Sequence, residues 1–124
     1  MYDVVVEQEI SAAHQLGGYQ GQCERFHGHN WRVQLEVGVK ELDPLGLAVD
    51  FTDLKALLEE ILSEYDHTLL NEHPDFRQQN PTSENLARMV YERCREKVKH
   101  LHSNAAVNSV TVWESPRTFV RYHA

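Results

Sequence analysis

The chain has 124 residues, 41% of them hydrophobic, which suits one domain over 1–124 built around a single core. Nineteen acidic residues against 12 basic ones give a formal charge of −7, which excludes a nucleic-acid binder working through a basic face. No apolar run approaches the roughly 18 residues of a membrane span, the opening residues do not read as a targeting peptide, and two cysteines make no disulfide framework, so a reduced, cytoplasmic setting is expected.

Tyr2, Val4, Val6 and the stretch from Gln8 to Ile10 read as a first strand of mixed alternation. Residues 11–28 are rich in glycine and polar side chains. Trp31, Val33, Leu35, Val37 and Val39 then occupy every second position, with Arg32, Gln34, Glu36 and Gly38 between them, which predicts a half-buried strand. The two strands are expected to pair as an antiparallel hairpin across a long loop. "ELDPLGLAVD" is a turn-rich connection with Pro44 and Gly46, and Asp50 is placed to cap a helix with Asp53 in its first turn.

Leu54, Leu57, Leu58, Ile61, Leu62 and Tyr65 form an apolar stripe at helical spacing. The pattern breaks until Pro81 and Thr82 start a second helix, whose stripe is Leu86, Met89, Val90, Cys94, Val98 and Leu101. "HLHSNAAVNS" reads as a loop. Val110, Thr111, Val112 and Trp113 give a third strand, "ESPRT" a tight connection, and Phe119 to Tyr122 a fourth strand. The order β-β-α-α-β-β predicts an α+β protein, a four-stranded antiparallel sheet with two helices on one face. A last strand at the sheet edge invites pairing with another subunit.

The chain carries eight histidines. Residues two apart on a strand point to the same side, so His27 and His29 can present both imidazoles to one point. If the strands pair, His14 in "SAAHQL" comes alongside. Three histidines on two neighbouring strands can bind Zn²⁺ and leave a fourth position open; the plain alternative is three solvated loop histidines. Cys23, four residues before His27, is a fourth ligand, a reactive thiol beside the metal, or an incidental loop cysteine. Cys94, on the second helical stripe, reads as a small core residue. Asp66 and His67 follow the first helix as a carboxylate beside an imidazole, either an acid/base pair or an ordinary helix end. Glu114 closes the third strand, where a carboxylate can grip a guanidine-like ligand edge or simply lie exposed. His73, His100, His102 and His123 fall into no pattern and read as surface residues.

"SAAHQL", "CERFHGHNW", "GLAVDFTDLK", "DHTLLN", "NPTSENLA" and "VWES", in that order over nearly the whole chain, resemble the motifs of the 6-pyruvoyltetrahydropterin synthase superfamily, whose members share the tunnelling fold (T-fold). The three residues between Cys23 and His27 resemble the bacterial branch of queuosine biosynthesis; a longer spacer is typical of the animal pyruvoyl enzymes, and a subgroup with glutamate in place of the cysteine is disfavoured by Cys23. The resemblance implies a zinc enzyme that converts 7,8-dihydroneopterin triphosphate to 6-carboxytetrahydropterin, acetaldehyde and triphosphate. It implies that His14, His27 and His29 hold Zn²⁺, that Cys23 is the thiolate base, that Asp66 and His67 are an acid/base pair lent by an adjacent subunit, and that Glu114 grips the pterin. Trimers stacked into hexamers are implied as well. Arg25 and Arg117 are candidates for the triphosphate. The alternatives are a pyruvoyl-type elimination without carbon–carbon cleavage, an aldolase of the same fold, and a non-catalytic metal- or pterin-binding oligomer.

Overall fold

The computed structural model describes residues 1–18 and 25–124, so Cys23 lies outside the described residues. Strand β1 (Tyr2–His14) and strand β2 (His27–Val39) pair antiparallel in unbroken register from Tyr2↔Val39 to His14↔His27. Alternation sends Val6, Ile10, Trp31, Val33, Leu35, Val37 and Val39 to the buried face, while Glu7, Glu9, Arg32 and Gln34 fall on the other. The same alternation carries His14, His27 and His29 onto the core-facing side at the end of the hairpin.

Helix α1 (Phe51–Leu62) starts at Asp50, whose carboxylate accepts from Thr52 N at 2.8 Å. Its buried face is Leu54, Leu57, Leu58, Ile61 and Leu62, as the spacing predicts. Helix α2 (Ser83–Leu101) starts at Thr82, whose hydroxyl accepts from Asn85 N at 3.1 Å. Its buried face includes Ala87 and Tyr91 besides the expected Leu86, Val90, Cys94 and Val98, whereas Leu101, the last helical residue, is 41% exposed. Both helices cover the buried face of the sheet, and the two layers share one apolar core.

The sheet has five strands, one more than the sequence predicts, in the order β3-β1-β2-β4-β5. The extra one, β3 (Thr68–Leu69), runs parallel to β1 with Ala12↔Thr68, so the sheet is not wholly antiparallel. Two residues are too few for any periodicity to show. They are aligned by what precedes them: His67 N donates to Ser11 O at 2.6 Å, and Asp66 Oδ1 accepts from Ser11 N at 2.9 Å.

Strand β4 (Ala105–Ser115) begins five residues before the predicted start, inside the stretch read as a loop. Its register against β2 slips between Glu36 and Val37, leaving Asn108 as an extra residue. The bulge interrupts the alternation and so hides the first half of the strand from a period-two reading. A Cβ on Gly38 would stand 2.9 Å from the Asn108 amide, so a larger residue there would have to displace that side chain. Strand β5 (Thr118–Tyr122) completes the sheet. Its register against β4 shifts between Trp113 and Ser115, so Glu114 is the residue left over at the strand's end. Among the described residues no helix is long and apolar enough to cross a membrane.

Candidate metal centre

The hairpin register puts His14 opposite His27, and His29 lies two residues along the same face. The three rings stand nearly edge to face, with interplanar angles of 69°, 79° and 90°. Trp31 forms the floor. It is completely buried, its Nε1 donates to Ala12 O at 3.0 Å, and it meets the His14 and His29 rings edge-on. Glu114, at the bulged end of β4, closes the group. Its Oε1 lies 3.2 Å from His14 Nε2 and 2.9 Å from His29 Nε2, and its Oε2 accepts from the Ser83 hydroxyl at 3.3 Å. One ligand atom from each of His14, His27, His29 and Glu114 lies within 4.8 Å of all the others.

Hydrogen bonds at the back of two rings fix what the front can do. His14 Nδ1 is 2.8 Å from Pro81 O, and His27 Nδ1 is 2.9 Å from Arg25 O. A carbonyl oxygen can only accept, so both Nδ1 atoms carry the proton, and in the neutral rings both Nε2 atoms present lone pairs. Those two nitrogens face each other at 2.9 Å. Two lone pairs at that distance repel unless a cation lies between them. His29 Nε2 is buried and, despite the nearby carboxylate, has no hydrogen bond of proper geometry. Burial lowers the pKa of His29 and favours the neutral, ligating ring; Glu114 opposes that shift, while His14 and His27 add to it. Converging imidazole nitrogens, two of the rings oriented from behind, fit a transition-metal ion.

Asp66 and His67 are not part of this cluster. Asp66 Oδ1 is 2.9 Å from His67 Nδ1, and the His67 side chain is 80% exposed. His67 has φ 59°, the left-handed region, and is the only non-glycine residue there among the described residues. It lines an open pocket of about 410 Å³ with Ser11, Ala13, Gly28, Asn30 and Thr68, and His29 of the histidine cluster reaches the same pocket. A larger groove, about 770 Å³ between α1 and α2, touches none of these groups. Arg25 and Arg117 have exposed side chains, Arg117 in the turn between β4 and β5; what Arg25 brings to the centre is its carbonyl.

The sequence reading missed the Pro81 carbonyl and Ser83. Pro81 and Thr82 were legible only as a helix start, and a carbonyl leaves no mark in a sequence. It also placed His73 on the surface. The structure corrects this: the side chain is 14% exposed and packs on Tyr65 at 4.8 Å, because a 3-10 turn over Pro74–Phe76 folds it inward. Cys94 is fully buried, and burial pushes its thiol up to about 12.

A two-layer α+β fold with three histidines gathered at the end of its first hairpin defines a class of metal-binding proteins, and comparison with known proteins narrows it. The model of the 6-pyruvoyl tetrahydropterin synthase family matches residues 3–124. The 6-carboxy-5,6,7,8-tetrahydropterin synthase of Bacillus subtilis is 35% identical over 126 residues, 98% of this chain and 84% of that protein. The protein of the same name from Synechocystis is 32% identical over 117 residues, 90% of this chain and 89% of the other. The structure of Caenorhabditis elegans 6-pyruvoyl tetrahydropterin synthase superposes with a TM-score of 0.74 at 26% identity, covering 100% of this chain and 97% of that one. The Plasmodium vivax enzyme gives 0.79 at 22% identity over 99% and 97%, a likeness of fold. The chain belongs to the 6-pyruvoyl tetrahydropterin synthase family.

Proposed function

We propose that this protein is a zinc enzyme that converts 7,8-dihydroneopterin triphosphate to 6-carboxy-5,6,7,8-tetrahydropterin, releasing acetaldehyde and triphosphate, in the cytoplasm and in queuosine biosynthesis. The observation that carries the reading is the convergence of the three histidines in a chain 35% identical, over 98% of its length, to a protein named for that synthesis. The C-x3-H-G-H spacing of Cys23, His27 and His29 points the same way.

In this reading His14, His27 and His29 hold the ion. Bound there, it would supply Lewis acidity toward the hydroxyls of the substrate's side chain. Cys23 removes the proton whose loss starts triphosphate departure. Asp66 orients His67, which moves a proton at its imidazole. We take the pair to serve the site of a neighbouring subunit in a homo-hexamer, as the family resemblance implies; within its own chain His67 shares a pocket with His29. Arg25 and Arg117 supply positive charge to the triphosphate.

Glu114 is read as the grip on the pterin's amino-pyrimidine edge. As a fourth metal ligand it would close the centre to substrate, so its carboxylate must turn from the histidines to the pterin when substrate enters. Glu114→Gln is then expected to keep its metal while kcat/KM falls by roughly 10²-fold, the scale of losing a charged hydrogen-bond partner in a desolvated site. A variant that lost its metal in dialysis would make Glu114 a ligand instead.

The product assay tests the whole reading. Zinc-loaded protein is incubated with 7,8-dihydroneopterin triphosphate, and acetaldehyde and 6-carboxytetrahydropterin are assayed together. Both should rise in step. Triphosphate without acetaldehyde would move the reaction to the pyruvoyl type.

A further inference from the structure

A second polar cluster stands where α1 runs into the Asp66–His67 turn. Tyr65 is completely buried. Its hydroxyl donates to Asp75 Oδ2 at 2.7 Å and accepts from Arg93 Nη1 at 2.9 Å. Arg93 Nη2 donates to the same Asp75 oxygen at 2.7 Å, so tyrosine, aspartate and arginine close a triangle of directed bonds. Arg93 Nη1 also pairs with Glu64. Asp75 N donates to His73 Nδ1 at 3.1 Å, and the His73 ring packs on the Tyr65 ring. Burial first, then the bond to Asp75, push the Tyr65 phenol well above its ordinary range, so it stays a donor.

A part-buried ionic triangle is a weak route to stability, because solvent screens it and apolar side chains of equal volume do as well or better. What it supplies is fixed geometry, and what it fixes is the residue before Asp66. Arg93, from α2, holds both Glu64 and Tyr65. Thr68 Oγ1 donates to Tyr65 O at 2.6 Å, and Ser11 holds Asp66 and His67 by two backbone-directed bonds. The turn is therefore tied on both sides. His67 is the residue that needs this, since a left-handed non-glycine backbone is strained and persists only where its surroundings over-determine it.

We propose that Arg93, Tyr65 and Asp75 are positioning residues for the Asp66–His67 pair, so that proton transfer at His67 depends on a side chain of α2. The inference rests on the acid/base reading of His67. Its test is a double-mutant cycle on the metal-loaded full chain with 7,8-dihydroneopterin triphosphate, comparing wild type, Tyr65→Phe, His67→Ala and the double variant. Tyr65→Phe removes one oxygen and keeps the buried ring. It is expected to lower kcat about tenfold, with KM within about twofold and metal content unchanged. In the His67→Ala background it should cost nothing further, because the group it positions is gone.

A Tyr65→Phe protein with wild-type kcat, or a loss that multiplies on top of that of His67→Ala, would overturn the inference and leave the triangle as packing. If His67→Ala itself leaves kcat unchanged, the acid/base reading fails first and takes the inference with it. If Tyr65→Phe does not purify folded, Arg93→Met is run through the same cycle and read in the same way.

Discussion

His14→Ala is expected to strip the protein of its metal and of turnover together, and to weaken the metal-free fold as well. A nitrogen-ligand site of this kind contributes on the order of 10 kcal/mol of binding. One of three ligands therefore accounts for about 3 kcal/mol, or roughly a 10²-fold loss of affinity. His14 is also 1% exposed, and its Nδ1–H is the donor for the Pro81 carbonyl at the start of α2. Removing the ring leaves that carbonyl without its donor, at a cost of about 1–3 kcal/mol, and opens a cavity over Trp31. His27 differs: it is only half-buried, and its Nδ1 bonds to the carbonyl of exposed Arg25. His27→Ala should lose the same metal with little change in apo stability. Metal content after dialysis and thermal melts in chelator separate the two effects. Stoichiometric metal in either variant would remove that histidine from the centre, and equal apo melting points would mean that the Pro81 contact holds nothing together.

The difference between these histidines shows what a sequence displays and what it hides. The H-x-H pair on one strand and a third histidine on its neighbour follow from period-two alternation. Only the register was uncertain, and with no break from Tyr2↔Val39 it brings His14 opposite His27. The helices were legible because Asp50 and Thr82 are caps with distinct chemistry and the leucine stripes are long. Bulges and backbone partners were not. Asn108 breaks the alternation of β4 and made its first half look like a loop. Strand β3 exists through two bonds to Ser11, a contact between residues 55 apart. The carbonyls of Pro81 and Arg25 decide which imidazole nitrogen faces the centre of the cluster, yet any residue type offers a carbonyl. Tyr65 was legible as an apolar member of a stripe, but its hydroxyl's partners, Asp75 and Arg93, sit 10 and 28 residues away.

Cys23→Ala is expected to leave metal content and fold intact and to lower kcat by roughly 10²–10⁴-fold, the range that general-base catalysis contributes. Three imidazoles already satisfy an ion that must keep a position for substrate, so a thiolate as fourth ligand would close the centre. A thiolate beside the ion, its pKa lowered by the nearby charge, suits proton removal at neutral pH. The two roles separate by experiment, since loss of a ligand lowers metal affinity and loss of a base does not. Alkylation gives a second measure. Cys94 is buried with its thiol pushed up to about 12, so near neutral pH iodoacetamide should leave it untouched. One equivalent of label, on Cys23, should remove activity in proportion while the metal stays. Activity that survived full labelling of Cys23 would mean that another group takes the proton, and metal released on labelling would mean that the sulfur was holding the ion.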